Sequence, residues 1–161
     1  MTAHPPVSGS PGPRYEALLQ LLRTAETLWE ASRVFFAQWN LSPSQFNLLN
    51  LLRGQRKGCT QSELGRSLIM HRSNVTGLVD RLEKRELVRR QDSPGDRRAY
   101  RVVLTAAGTR LMNQILPQYH ARAEQVWGGI GVGRARQLTD DLEELGNNAR
   151  TAGFGDPEGG R

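Results

Sequence analysis

Residues 60–104 read TQSELGRSLIMHRSNVTGLVDRLEKRELVRRQDSPGDRRAYRVVL. The segment opens on Thr60-Gln61-Ser62-Glu63. A cap threonine with a glutamate three residues on lets each side chain accept a backbone N–H that the first helical turn cannot satisfy. This predicts a short helix over 61–67, with Leu64 and Leu68 facing inward. A turn is expected at Ile69-Met70-His71. A second helix is expected over 72–85, because Val75, Leu78, Val79 and Leu82 recur at three- and four-residue steps. Ser73, Asn74, Gly77, Asp80, Arg81 and Lys84 then fall on its other side, with Arg72 and Thr76 at the border. Two strands follow, over 87–90 and 99–104. In the second, Tyr100, Val102 and Leu104 alternate, and the Pro94-Gly95 pair supplies the turn between the strands. Two short helices joined by a tight turn, then a basic hairpin, make a winged helix-turn-helix.

The flanks are helical. Upstream, Leu18, Leu21, Leu22, Ala25, Leu28, Trp29, Phe35, Phe36 and Trp39 form one apolar stripe, which predicts a long helix over 14–39. Ser42 can cap the next helix, and Pro43 suits its first position. Downstream, Thr105 caps a helix over 106–127 that Pro117 should kink or divide. A last helix over 134–149 carries Leu138, Leu142 and Leu145. The expected class is mainly α with a small β-hairpin wing (α+β), the winged helix-turn-helix lying between flanking dimerisation helices. The expected organisation is an arm at 1–13 without order, a dimerisation helix at 14–40, the DNA-binding region at 41–104, C-terminal dimerisation helices at 105–150 and a frayed tail at 151–161. Dimerisation is expected because one chain offers too little core to cover the outer stripes.

Charge points the same way. The chain carries a formal +6. Residues 14–39 hold three basic and three acidic side chains, and residues 106–152 hold five of each. Residues 53–101 hold thirteen basic and six acidic, so the excess is concentrated where the reading head is expected. A charge serving solubility alone would spread; a polyanion-binding module concentrates it. The second helix would offer Arg72, Ser73, Asn74 and Thr76 to base edges in a major groove. Arg81, Lys84, Arg90 and Arg97 would face the duplex beside them.

Residues 60–104 resemble the MarR family of transcriptional regulators almost position for position. Asn74-Val75-Thr76-Gly77-Leu78-Val79-Asp80-Arg81-Leu82 looks like that family's recognition helix. Asp96-Arg97-Arg98, followed by Val102, Leu104, Thr105 and Gly108, looks like its wing signature. The resemblance implies that Asp96 orients Arg98 and that Arg98 enters the minor groove. It also implies a homodimer that places two recognition helices on a pseudo-palindromic operator in double-stranded DNA. Repression relieved by a small aromatic or phenolic anion is the family's usual behaviour. Trp29, Phe36, Trp39 and Phe46 are the candidates for walls of such an effector site, although aromatic residues at helical spacing also serve as core. His71 and Gly77 depart from the family's pattern, which bears on the operator sequence.

Different functions find less support. Cys59 directly precedes the cap threonine, where a small apolar side chain packs as a staple; a redox-sensing repressor would use it as a reactive thiol instead. The same reading head could also belong to a low-specificity architectural DNA-binding protein or to an adaptor that binds protein. His4, His71 and His120 lack metal-ligand spacing, and no nucleophile motif or paired carboxylate site is present, so neither enzyme activity nor a cofactor is expected. The first residues have neither a basic start nor an apolar centre, and no run reaches membrane-spanning length, so a cytoplasmic protein away from the membrane is expected.

Overall fold

The capping signals begin the helices where the sequence places them. In the computed structural model, residues 12–68, 75–93 and 96–152 are described, with the backbone alone for 93 and 96–99. Helix α1 is Pro13–Ala37 and α2 is Pro43–Arg53. A two-residue strand, β1 (Cys59–Thr60), leads into α3 (Gln61–Ser67). Helix α4 (Val75–Lys84) follows, then β2 (Val88–Ser93) and β3 (Asp96–Leu104). Two long helices close the chain, α5 (Ala106–Trp127) and α6 (Val132–Thr151).

Each short helix with a described start opens on a side chain that satisfies its first N–H groups. The Ser42 Oγ accepts from the Gln45 N–H at 3.2 Å, while the Gln45 side chain accepts from the Ser42 N–H at 2.8 Å. The Thr60–Glu63 box has the same form, at 3.2 and 2.7 Å. In α5 the Thr105 hydroxyl accepts from the Gly108 N–H at 3.0 Å. The sheet is antiparallel in the order β1-β3-β2. Cys59 pairs with Val102 on one edge of β3, and Arg90 pairs with Val102 on the other.

Three expectations change. The hairpin is longer than 87–90 with 99–104, because pairing runs out to Ser93 with Asp96. The simple alternation in β3 does not hold: Tyr100 is exposed, while Val102 and Val103 are both buried. As the central strand, β3 is paired along both edges, and at Val102 and Val103 it is also covered on both faces. Val103 packs beside Gly58, where a Cβ would stand 2.4 Å from the Val102 carbonyl oxygen and 2.5 Å from a Val103 methyl, and where a φ of +71° also disfavours any side chain. Finally, α5 runs unbroken through Pro117, so the proline does not divide it.

The chain forms two compact units, residues 1–112 and 113–161, with the boundary inside α5. The core of the first gathers Phe36, Phe46, Leu48, Leu49, Leu52, Leu64, Leu78, Val79, Leu82, Val88, Val102 and Met112. In α1 only Phe36 is buried, and α6 buries nothing. Leu18, Leu22, Leu28 and Trp29 of α1 are exposed, as are Val126 of α5 and Leu138, Leu142 and Leu145 of α6.

Arg101 ties β3 to the start of α3. Its guanidinium donates to the Lys57 and Gly58 carbonyls at 2.9 and 2.8 Å and to the Glu63 carboxylate at 3.1 Å. The Thr60 backbone N–H first, then the Thr60 side chain, hold the Glu63 carboxyl below its ordinary value of 4.5, and the charges of Arg101 and Arg66 act in the same direction. A carboxyl depressed in the folded state stabilises above its ordinary value, and that stabilisation is lost as pH falls through the lower folded value. Thermal melts of the wild type should therefore decline more steeply below pH 4.5 than those of Glu63→Gln, which keeps the cap acceptor without the titrating charge. Equal acid slopes would show that Glu63 adds nothing pH-dependent.

Candidate nucleic-acid interface

The apolar face of α4 is wholly committed: Val75, Leu78, Val79 and Leu82 are all buried. Its other face is therefore the one turned outward, where Thr76, Arg81 and Lys84 all lie exposed. Gly77 has only the Arg81 guanidinium near where a Cβ would stand, at 3.8 Å. Arg72, Ser73 and Asn74 lie outside the described residues. Asp96, Arg97 and Arg98 lie at the start of β3, on the wing, with only their backbone described.

Arg90 is engaged with the protein itself. Its Nη2 donates to Asp80 Oδ1 at 2.5 Å, and its Nη1 donates to the Glu83 carboxylate. Its backbone N–H donates to Glu83 Oε1 at 2.9 Å. The guanidinium carbon stands 5.2 Å from the centre of the Tyr100 ring. Burial works against its charge, but hydrogen bonds to Asp80, Tyr100 and Glu83 outweigh that and hold it above its ordinary value. Arg90, expected to face the duplex, is thus held in an ion-pair network that sequence spacing did not reveal.

Two further arginines have roles that the sequence did not show. Arg101 fastens β3 to the turn before α3. Arg85, just past the last turn of α4, donates to the Asn40 and Trp39 carbonyls at 2.5 and 3.0 Å, joining the end of α4 to the end of α1. Asn40 takes a φ of +53°, which ends the helical path there.

Of the aromatic candidates, Phe36 and Phe46 are 1% and 2% exposed and stack on each other at 4.2 Å between ring centres. They serve the core. Trp39 is part-buried beside Phe35, 5.2 Å between centres, and Trp29 is 38% exposed on α1.

Cys59 is 6% exposed in β1. Burial first, then the charge of Glu63, push its thiol up, against a smaller opposing pull from Arg101. A thiol held protonated and covered is a poor nucleophile. Native protein should react with a thiol-specific reagent far more slowly than protein unfolded in guanidinium, and peroxide should leave DNA binding unchanged. Equal labelling rates would restore a redox role for Cys59.

Among the described residues no helix is long and apolar enough to cross a membrane. A three-stranded antiparallel sheet, two short helices packed on it and a basic hairpin define a winged helix-turn-helix transcriptional regulator. The family model of MarR regulators matches residues 41–100. The HTH-type transcriptional regulator MhqR of Bacillus subtilis is 30% identical over 110 residues, covering 68% of this chain and 75% of that one. The HTH-type transcriptional repressor NicR of Pseudomonas putida is 28% identical over 152 residues, covering 92% and 94%. Among solved structures, Bordetella bronchiseptica BpsR, whose DNA binding is regulated by 6-hydroxynicotinic acid, superposes with a TM-score of 0.74 at 25% identity, covering 85% of this chain and 98% of that one. The chain belongs to the MarR family of DNA-binding transcriptional regulators, which are not enzymes.

Proposed function

We propose that this regulator is a homodimeric repressor that reads a pseudo-palindromic operator and leaves it when a small aromatic or phenolic anion binds. The observation that carries the operator-reading part is the split character of α4. One face is consumed by the core, and the other presents Thr76, Arg81 and Lys84 beside the basic hairpin. Arg72, Ser73, Asn74 and Thr76 would read base edges, and Arg98, oriented by Asp96, would enter the minor groove. Arg97 would contact phosphate.

The effector part draws on the relatives. One is a repressor, and another has its DNA binding regulated by an aromatic acid. On this chain, Trp29 and Trp39 are the candidate walls that retain accessible surface, with Phe36 and Phe46 behind as packed core.

The dimer would bury the apolar side chains that one chain leaves open on α1, α5 and α6, Leu22 at 59% exposed among them. Light scattering at micromolar concentration should give twice 18.0 kDa. A well-folded monomer there would remove the two-headed arrangement.

The deciding experiment is selection of duplexes from a random pool by the purified protein, repeated with a panel of aromatic acids that includes 6-hydroxynicotinic acid. An inverted repeat with half-sites about one turn apart (~34 Å) is the expected product. Recovery of no preferred sequence would favour an architectural protein with little sequence preference.

A further inference from the structure

The wing and the recognition helix are joined by one side chain. Asp80 and Glu83 are three residues apart on α4, so they project from one face of that helix. Arg90 on β2 reaches both, and the Arg90 N–H adds a third bond to Glu83. On its other side the guanidinium lies over Tyr100, which belongs to β3. One planar, five-donor group therefore touches the recognition helix and both strands of the hairpin, a span that a lysine's single point charge could not match.

We propose that Arg90 is a positioning residue for operator reading: through Asp80 and Glu83 it fixes the wing relative to α4, and it does not itself contact DNA. Two carboxylates already neutralise its charge, and the cluster of Arg90, Asp80 and Glu83 carries a net negative charge. At a phosphate its attraction would be cancelled by the acids beside it. Its neighbour Arg89 is exposed, and on β2 it is the arginine available to a phosphate. A wing held at one angle to α4 lets the two reading elements fit adjacent grooves together. A loosened wing would forfeit fit on the correct sequence while keeping attraction to any duplex.

This inference rests on the operator-reading function proposed above, and the test separates the two. Full-length wild type, Arg90→Lys, Asp80→Asn and the double variant are titrated against the duplex recovered by selection and against a scrambled duplex of equal length. Thermal melts are recorded on each. Arg90→Lys and Asp80→Asn should each lower the selected-to-scrambled affinity ratio about tenfold, the scale of one lost groove contact. The double variant should lose little more than either single, since both disturb one linkage. For Asp80→Asn this is the discriminating direction. Removing an acid beside a polyanion tightens binding if Arg90 is a DNA contact set free, and weakens specific binding if Arg90 is the brace. Tighter binding of both duplexes by Asp80→Asn would overturn the proposal. So would a lower melting temperature in Arg90→Lys with the ratio unchanged, which would make the cluster a stabilising ion pair and nothing more. Equal binding of both duplexes by the wild type would overturn operator reading itself, and this inference with it.

Discussion

Gly108→Ala is expected to destabilise the protein by roughly 3 kcal/mol, the upper part of the range for forcing extra volume into a packed site. Helix propensity alone argues for the opposite, since alanine in place of glycine gains up to about 1 kcal/mol. Geometry decides the sign. A Cβ on Gly108 would stand 2.1 Å from the Leu87 carbonyl oxygen and 3.0 Å from a Leu104 methyl. That carbonyl is backbone, and it is already bonded to the Thr105 N–H at 3.1 Å and the Thr105 hydroxyl at 3.2 Å. Relief would have to part the first turn of α5 from the start of β2, breaking the cap of α5. Gly77→Ala is the contrasting case. Its Cβ would meet only the flexible Arg81 guanidinium, at 3.8 Å, so the propensity gain should appear as added stability of up to about 1 kcal/mol. Urea midpoints of the two variants should move in opposite directions. A Gly108→Ala midpoint at or above the wild type would mean that the helix start and the strand are not held as closely as these distances imply.

Arg98→Ala should weaken operator binding by about tenfold or more, make the salt dependence shallower by about one contact per half-site, and leave base preference in the major groove largely intact. A wing arginine reads the width and potential of the minor groove, so its loss removes affinity without changing which bases α4 favours. Asp96→Ala should reproduce much of that loss. A purely electrostatic account predicts tighter binding when an acid near DNA is removed; a positioning account predicts weaker binding, and non-additivity with Arg98→Ala. Titration of the single and double variants at two salt concentrations measures both. Additive effects, or tighter binding by Asp96→Ala, would end the positioning role assigned to Asp96.

The parts of this fold that local chemistry dictates were legible in the sequence. Ser42, Thr60 and Thr105 each stand where a helix needs an acceptor, and each caps one. The four apolar residues of α4 are buried as their spacing requires. What escaped depends on partners far away in the chain. The strand at Cys59–Thr60 is too short to show a period, and its existence depends on β3 some forty residues later. The consecutive Val102 and Val103 point only to a strand covered on both faces, whereas β1 adds along its edge, so no residue pattern marks it. Arg85, Arg90 and Arg101 look alike as letters in a basic run. Their distinct partners, two helix-end carbonyls, two carboxylates on α4 and the turn before α3, follow only from the folded arrangement. The charge excess at 53–101 therefore overstates the free positive surface.

The pairing of Cys59 with Val102 has a consequence for how the chain reaches this state. It ties a loop whose two ends are a strand edge and whose contents include α3 and α4. Closing such a loop costs entropy that no single helix inside it can offset, so the pairing should form late, after local turns have shortened the effective distance. Because α3 packs on β1 and β3 and α4 packs on β2, opening of either helix is expected to be coupled to opening of the sheet. Amide exchange should accordingly report one common opening energy for the Val102 N–H and the buried face of α4, with both helices leaving the folded state in the same event.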